Sequence, residues 1–170
     1  AEKNYLGGAA AIANHLSAFC KKINFLTLIG DNNNNLNFIK KTLKKNINTK
    51  FFNKKNSPTI IKKRFIDNIT QSKLLGVYSL NDSKLQKKLE TKLINDIKKL
   101  IASCDLILVS DYGHGFISEK TAKTFSSIKK FFALNAQVNA SNYGYHSLRK
   151  YKKIDNLIIN ENELRHEMRD

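Results

Sequence analysis

The chain is poor in residues that impose special structure: it has one proline, two cysteines and no tryptophan among 170 residues. These counts exclude a proline-rich linker, a disulfide-based scaffold and a site built on indole rings. No apolar run approaches the roughly 20 residues that a membrane-spanning helix needs, and the N-terminus shows no signal-peptide pattern. Cys20 and Cys104 lie in no metal-binding spacing, so we expect two buried thiols in a cytoplasmic protein that has no membrane partner.

Acidic side chains are scarce relative to basic ones. The chain has 30 Lys and Arg residues against 14 Asp and Glu residues, which gives a formal net charge of +16 at pH 7. Such a charge can indicate a nucleic-acid partner. The excess is nearly all lysine, however, and it is dispersed along the chain together with many Asn and Ile residues, which AT-rich codons favour jointly. We therefore expect solvated lysines and no nucleic-acid partner.

Strand and helix patterns alternate along the chain, whose length and hydrophobic content of 41 % suit a single domain. Apolar runs predict strands at 23–29, 49–52, 105–110, 133–138 and 156–159, the third of them buried on both faces. Periodicity predicts helices at 8–20, 36–46, 83–102, 118–132, 144–150 and from 161, with Asn-rich stretches at 32–35 and around Asn139 and Asn142 as cap and turn. This alternation predicts an α/β fold with a mostly parallel sheet.

Two β-rich runs interrupt the alternation. Residues 59–66 and 73–80 follow Ser57-Pro58 and flank a polar turn, which predicts a hairpin or a pair of lid strands within a lid segment of about 49–80. Lys62 and Arg64 share one face, because residues two apart on a strand point the same way. This pair can hold a phosphate group, or it can form an exposed basic edge that discourages aggregation.

Two glycines, Gly7 and Gly8, lie at the start of the first predicted helix. Glycine allows the backbone N–H groups to approach a ligand closely, and a helix start supplies unsatisfied donors. The segment is therefore a candidate binding site for a hydroxyl-rich or phosphorylated small molecule. The alternative is ordinary chain geometry at the start of a helix.

Polar residues gather where the predicted strands end. Asp111 precedes Gly113-His114-Gly115, and it can bind a sugar hydroxyl or a metal-bound water, or anchor a tight turn. Asn160 and Glu163, three residues apart, can hold a metal–phosphate complex through waters, or cap a helix, and the spacing alone favours the cap. Because ligands of parallel α/β sheets bind beyond the carboxyl ends of strands, we expect Gly8, Asp111 and Asn160 to lie at one rim.

Taken in order, four segments of the chain resemble the ribokinase-like (PfkB) carbohydrate kinase family, and most closely the heptose 7-phosphate kinase domain of ADP-heptose synthases. The segments are Leu6-Gly7-Gly8-Ala9-Ala10 with Ala13-Asn14, Pro58-Thr59-Ile60-Ile61-Lys62-Lys63-Arg64, Val109-Ser110-Asp111-Tyr112-Gly113-His114-Gly115 and Asn160-Glu161-Asn162-Glu163. The resemblance implies a three-layer α/β/α, Rossmann-like fold with a small β lid. It also implies ATP-dependent, Mg²⁺-assisted phosphorylation of a hydroxyl on a sugar or sugar phosphate.

The resemblance also implies roles for individual residues. The residues expected near the sugar or on the lid above it are Gly7, Gly8, Asn14, Lys62, Arg64 and Asp111. Asn160 and Glu163 match the Asn-x-x-Glu motif that helps place ATP and Mg²⁺, with Glu163 acting on the metal through water. In such kinases the lid is often a dimer contact, so a homodimer through the lid is a further expectation.

The chain departs from the family pattern in places that bear on the substrate more than on the fold. Ala11 stands where these kinases often have Asn, His114 replaces a frequent Lys, and Asn135-Ala136-Gln137 replaces Asp-Pro-Lys. The Gly-Ala-Gly-Asp segment, whose Asp is the catalytic base of the family, is not among the 170 residues.

This missing segment leads to an expectation about the extent of the chain. We expect residues 1–170 to be one partial kinase domain, incomplete at both ends, with the catalytic Asp beyond Asp170 and no activity alone. The alternative is a non-catalytic sugar-binding or regulatory module on the same scaffold.

Overall fold

The strands pair in three separate sheets in a computed structural model of the chain, which describes residues 2–31, 35–137 and 147–168. The chain divides into two units, Ala1–Asn81 and Asp82–Asp170. Several predicted features lie outside the described residues: the polar stretch 32–34, Val138 at the end of a strand, the turn around Asn139 and Asn142, and the start of the helix at 144–150.

The first unit begins with two strands and two helices. They are α1 (Gly8–Leu16), β1 (Ile23–Gly30), α2 (Leu36–Thr42) and β2 (Ile47–Lys54). Strands β1 and β2 pair in parallel, with Ile23 opposite Ile47. The small residues of α1 allow close packing, and Ala13 forms a buried cluster with Phe25 and Ile47. The predicted helix 8–20 ends early, at Leu16, and this leaves Phe19 86 % exposed in the turn that follows.

An antiparallel hairpin completes the first unit and confirms the predicted pair of strands. Strand β3 (Ile61–Ile66) pairs with β4 (Lys73–Ser79), and the register shifts between Phe65 and Ile66. In the connecting turn, Asp67 Oδ1 accepts hydrogen bonds from the backbone N–H groups of Ile69 and Thr70, at 2.8 and 2.7 Å. These two bonds favour the ionised carboxylate and lower the pKa of Asp67.

Three side chains join the two ends of the hairpin segment, and we call them the base clasp: Lys54, Ser57 and Asn81. Lys54 is buried, and its Nζ donates to the Asn81 carbonyl oxygen at 2.7 Å. The Asn81 side-chain amide donates to Ser57 Oγ at 2.9 Å. The hairpin therefore leaves and rejoins the unit at nearly the same place.

The second unit is a three-stranded parallel sheet with helices. Its elements are α3 (Lys87–Ile101), β5 (Leu106–Asp111), α4 (Glu119–Ser126), β6 (Phe131–Ala136), a 3₁₀ helix (Leu148–Lys150), β7 (Asn156–Ile158) and α5 (Glu161–Met168). The strand order is β5-β6-β7. Leu93 of α3, Phe125 of α4 and Phe132 of β6 are buried, and the two aromatic rings stack with centroids 5.2 Å apart.

The α/β class predicted from the sequence is confirmed. Among the described residues, β1–β2 and β5–β6–β7 are parallel and only the β3–β4 hairpin is antiparallel. Ser118 caps α4 as predicted, since its Oγ accepts from Thr121 N at 3.1 Å.

Several predicted boundaries and burials were wrong. The predicted helix 118–132 ends at Ser126 because Phe131 and Phe132 belong to β6, where Phe132 fills the core. The helix 83–102 begins only at Lys87, α2 ends at Thr42, and β2 is longer than predicted. Leu106, at the start of the supposedly buried strand β5, is 51 % exposed.

Cys20 is exposed rather than buried, because it lies in the turn beyond α1. Among the described residues, no helix has the length and apolar character needed to cross a bilayer.

Candidate functional site

Asp111 ends strand β5 with a buried carboxylate. Its side chain is 4 % exposed, its Oδ2 lies 2.6 Å from Lys150 Nζ, and the same oxygen accepts a hydrogen bond from Tyr151 Oη at 2.7 Å. The other oxygen, Oδ1, accepts from the backbone N–H of Gly113 at 3.0 Å. A buried carboxylate needs such donors, because its removal from water is costly unless a cation and hydrogen bonds compensate. Asp111 is therefore an anchor within the chain, and its contact with a ligand stays a prediction.

Tyr151 donates to this carboxylate as a neutral phenol. Its side chain is buried, and its ring centroid lies 6.0 Å from that of Phe132. Burial first, and then the negative charge and hydrogen bond of Asp111, raise the pKa of Tyr151 far above its ordinary value. The phenol therefore keeps its proton and its hydrogen bond at neutral pH.

The turn after Asp111 has a backbone conformation that favours glycine. Gly113 and Gly115 have φ angles of 67° and 77°. A Cβ at Gly115 would lie 2.2 Å from the carbonyl oxygen of Ser83, so this position excludes any side chain. His114, between the two glycines, is buried. This geometry fits the tight-turn alternative, in which Asp111 holds the turn through Gly113.

Asn160 and Glu163 form a reciprocal cap at the start of α5. Asn160 Oδ1 accepts from Glu163 N at 2.9 Å, and Glu163 Oε2 accepts from Asn160 N at 3.0 Å. This is the capping box that the spacing of three favoured. Because β7 precedes α5 and is parallel to β5, the cap and Asp111 lie at the same, carboxyl edge of the sheet, with β6 between them.

The oxygen chemistry of this cap suits Mg²⁺ only in an indirect role. Mg²⁺ usually keeps several waters and takes one or two carboxylates together with substrate phosphates. Among residues 2–31, 35–137 and 147–168, no group of three or more His, Cys, Asp or Glu side chains can hold a metal ion. Glu163 is buried and already accepts from Asn160 N. The pair therefore fits a water-mediated contact to a metal–phosphate complex, and it does not fit a complete protein cage.

The two N-terminal glycines differ in what the fold requires of them. Gly8 has a φ of 53°, a conformation that favours glycine. Gly7 is the N-cap of α1 with a φ of −114°, and a Cβ placed there would meet no atom within 4 Å. The fold thus explains Gly8, whereas the space beside Gly7 is open.

Asn14 links α1 to the end of α2. Its Nδ2 donates to the Thr42 carbonyl at 2.9 Å, and its Oδ1 accepts from Lys44 N at 3.1 Å. Both ends of the amide are therefore bonded within the first unit, which gives Asn14 a structural role beside the predicted sugar contact.

Lys62 and Arg64 lie on one face of the hairpin, opposite Tyr78 and Gly76 of β4. Lys62 Nζ lies 5.6 Å from the centroid of the Tyr78 ring, a cation–π contact. Partial burial, opposed by Tyr78 and reinforced by the nearby Arg64 charge, lowers the pKa of Lys62. We call this surface the cationic lid face.

Sequence reasoning missed two members of the cationic lid face. A Cβ at Gly76 would lie 3.1 Å from Lys73 Nζ and 3.2 Å from Tyr78 Oη, so this ammonium and this hydroxyl both lie over Gly76. Only the strand register, with Gly76 opposite Arg64, shows that they join Lys62 and Arg64.

Lys150 and Tyr151, which bind Asp111, were missed as well. They stand in no recognised motif and lie far along the chain from Asp111. The available signal was a cation beside an amphipathic ring a few residues before β7, and this pattern is common and weak.

The predicted site residues fall in both units. Those of the first unit are Gly7, Gly8, Asn14, Lys62 and Arg64, and those of the second are Asp111, Asn160 and Glu163. Lys62 and Arg64 share a hairpin face, and Asp111 shares a sheet edge with the Asn160–Glu163 cap. The convergence of all these clusters at one rim stays a prediction.

Comparison with known proteins relates the chain distantly to proteins named HldE. No protein-family model matches it. It is 26% identical over 123 residues (72% of this chain, 26% of the relative) to the bifunctional protein HldE of a Nitratiruptor species. It is 27% identical over 164 residues (95% of this chain, 33% of the relative) to the bifunctional protein HldE of Aliarcobacter butzleri. The chain thus spans about a quarter to a third of the length of the curated relatives it matches.

Proposed function

We propose that the chain is the sugar-binding and lid part of a PfkB-type carbohydrate kinase, which transfers a phosphoryl group from ATP to a hydroxyl of a sugar or sugar phosphate. The observation that carries the proposal is the carboxyl edge of the β5–β6–β7 sheet. The glycine turn after Asp111 and the Asn160–Glu163 cap lie at this edge with one strand, β6, between them. Parallel α/β sheets bind ligands at this edge. The distant similarity to HldE proteins supports the same assignment.

Each cluster has a role in this proposal. Gly7 and Gly8 border the sugar, Lys62 and Arg64 bind an anionic substituent such as a phosphate, and Asp111 fixes the glycine turn. The residues that place ATP and, through water, Mg²⁺ are Asn160 and Glu163. When bound, the metal would offset negative charge on the phosphates. Phosphoryl transfer depends mainly on positioning and charge stabilisation, so activity also needs the catalytic base proposed beyond Asp170.

A homodimer through the lid is part of the proposal. The hairpin face opposite the cationic lid face presents Phe65, Leu75 and Val77, which are about half exposed. Apolar side chains gathered on one face of a strand pair favour contact with a protein surface.

The test is an ATP-dependent phosphorylation assay over a panel of sugars and sugar phosphates, with heptose 7-phosphate included. It compares residues 1–170 with a longer protein that contains the sequence following them in the gene. We expect turnover of a phosphorylated sugar by the longer protein and none by residues 1–170. Sugar binding by the longer protein without ATP-dependent turnover would contradict the kinase and favour the non-catalytic module.

The lid supplies matched variants for the substrate contact. In the longer protein, Lys62→Met and Arg64→Met should each raise KM for the phosphorylated sugar about tenfold or more, because each removes a charge-assisted hydrogen bond. Lys63→Met changes charge equally on the opposite face of the same strand and should change KM by less than about twofold. Equal effects of the three variants would show that net charge, and not the cationic lid face, determines affinity.

A further inference from the structure

Lys150 contacts both ends of the loop between β5 and α4. Its Nζ lies 2.6 Å from Asp111 Oδ2, at the end of β5, and donates to the Ile117 carbonyl oxygen at 2.9 Å. Ile117 directly precedes Ser118, the N-cap of α4. One ammonium group, on a side chain that is 15% exposed, therefore closes residues 111–117 into a ring held by an ion pair and a hydrogen bond.

This loop needs an external restraint. Two of its residues, Gly113 and Gly115, have positive φ angles, and a glycine backbone has many alternative conformations in the absence of fixed contacts. Asp111 restrains the start of the loop through Gly113 N, and Tyr151 contacts the same carboxylate. Lys150 differs from Tyr151 because it also binds the carbonyl at the other end.

Lys150 is in turn held by helix α5. The 3₁₀ helix Leu148–Lys150 is anchored at its start by Glu167 of α5. Glu167 Oε1 accepts from Ser147 Oγ at 2.9 Å, and Glu167 Oε2 accepts from Leu148 N at 3.1 Å. Helix α5 begins with the Asn160–Glu163 cap. A continuous series of contacts therefore runs from α5 through the 3₁₀ helix to the glycine turn.

We propose that Lys150 is a positioning residue that fixes the glycine turn after Asp111 relative to helix α5. The proposal rests on the proposed function, because the turn and the cap of α5 are its candidate substrate and nucleotide elements. Lys150 keeps the two elements in one geometry, as phosphoryl transfer between two bound molecules requires. A chain of contacts alone does not demonstrate coupling, so the proposal is tested by perturbing both of its ends.

The first test is hydrogen–deuterium exchange of residues 1–170, which needs no catalytic activity. Lys150→Met should accelerate exchange in residues 112–118 by about tenfold or more, because a buried ion pair and a hydrogen bond are lost together. Lys150→Arg, which keeps the charge and several donors, should restore most of the protection. Lys152→Met makes the same chemical change at an exposed neighbour and should leave exchange in 112–118 unchanged. Equal exchange in Lys150→Met and the wild type would overturn the proposal.

The second test addresses the coupling to α5. Glu167→Gln should also accelerate exchange in residues 112–118, although the contacts of Glu167 described above lie at Ser147 and Leu148. The double variant with Lys150→Met should add little to Lys150→Met alone, because both changes release the same turn. Additive effects, or an effect of Glu167→Gln confined to residues 147–168, would overturn the coupling. Glu167→Gln and Lys150→Arg keep the test decisive if Lys150→Met fails to fold.

The third test uses the longer protein in the kinase assay. Lys150→Met should lower kcat about tenfold or more with little change in the KM of either substrate, and Lys150→Arg should recover most of kcat. A rise in KM alone would identify Lys150 as a binding residue and contradict the proposal. If the wild-type longer protein has no kinase activity, the proposed function fails, and the exchange experiments still decide whether Lys150 holds the turn.

Discussion

Asp31 and Asp111 stand at corresponding places, at the carboxyl ends of β1 and β5, each of which pairs in parallel with a neighbouring strand of its own unit. The surroundings of the two aspartates differ. Asp31 is exposed, and its carboxylate accepts from the backbone N–H groups of Asn56 and Ser57 at 2.6 and 3.3 Å. Asp111 is buried and pairs with Lys150 and Tyr151. Both aspartates anchor loops. Only Asp111 does so with an ion pair shielded from water, where charge interactions are strong and their loss is costly.

A glycine lies near each aspartate, and the glycine near Asp111 is the more tightly constrained of the two. A Cβ at Gly30 would lie 2.2 Å from the Ser57 carbonyl oxygen, and a Cβ at Gly115 equally close to that of Ser83. Gly115 also has a positive φ. Gly30 is thus restricted by space alone, whereas Gly115 is restricted by both space and backbone conformation.

Among the substitutions that test this comparison, Asp111→Asn should cause the largest loss in the free energy of unfolding. This change leaves the Lys150 ammonium without its anionic partner, and we expect a loss of about 3–5 kcal/mol in the free energy of unfolding, measured by urea denaturation. Asp111→Asn/Lys150→Met removes both charges and should recover part of this loss. A loss below about 1 kcal/mol for Asp111→Asn would show that the ion pair contributes no more than a surface contact.

Gly115→Ala should have the next largest effect. The new methyl group clashes with a backbone oxygen and the residue must keep a left-handed conformation, so we expect a loss of about 2–4 kcal/mol in urea denaturation. Gly30→Ala introduces a steric clash without the conformational cost and should lose about 1–3 kcal/mol. A greater loss in the free energy of unfolding for Gly30→Ala than for Gly115→Ala would contradict the expectation that Gly115 is the more constrained glycine.

Alkaline pH should weaken the strand end at Asp111 selectively. The pKa of Tyr151 is higher in the folded than in the unfolded protein, where it is near 10.0. The stabilisation from this phenol is therefore complete below pH 10 and is lost as the pH rises, by up to about 1.4 kcal/mol per pH unit. Denaturation of the wild type and of Tyr151→Phe between pH 9 and pH 11 measures it, and the variant should show the shallower decline. Parallel declines would exclude Tyr151 as the source.

The smallest effect should come from Asp31→Asn. The side chain keeps one acceptor oxygen and loses a charge that water already screens, so we expect a loss of about 1 kcal/mol in urea denaturation. Asn24→Ala, on the preceding strand β1, serves as a reference for an ordinary polar truncation. A loss for Asp31→Asn that matched the loss for Asp111→Asn would remove the distinction between the two strand ends.

Features that depend on local spacing could be predicted from the sequence. The Asn160–Glu163 capping box follows from a separation of three residues, and the lid hairpin follows from two alternating runs around a polar turn. The end of α4 could not be predicted in this way. Phe131 and Phe132 continue the apolar periodicity of that helix, but Phe132 gains more by stacking on Phe125 within the core as part of β6.

The environment of Asp111 could not be predicted for a different reason. The sequence identified a strand-end aspartate before two glycines, and this pattern is compatible with either a ligand contact or a turn anchor. The contacts that make Asp111 a turn anchor come from Lys150 and Tyr151. These two residues reach Asp111 only because the chain returns to the end of β5 before entering β7. No local pattern encodes such a return. The same holds for Lys73 and Tyr78, which join the cationic lid face through strand register.

The base clasp has a consequence for how the lid can vary. Asn81 lies within hydrogen-bonding distance of both Lys54 and Ser57, so the ribbon between Ser57 and Asn81 begins and ends at one point of the first unit. Thr59 Oγ1 accepts from Gly30 N at 3.1 Å, which ties the start of the ribbon to β1. Beyond Thr59 a short linker can replace the ribbon while the parallel pair β1–β2 keeps its register. Residues 60–80 therefore form an exchangeable cassette: their number and chemistry can change, through grafting or natural divergence, without altering the scaffold that carries them.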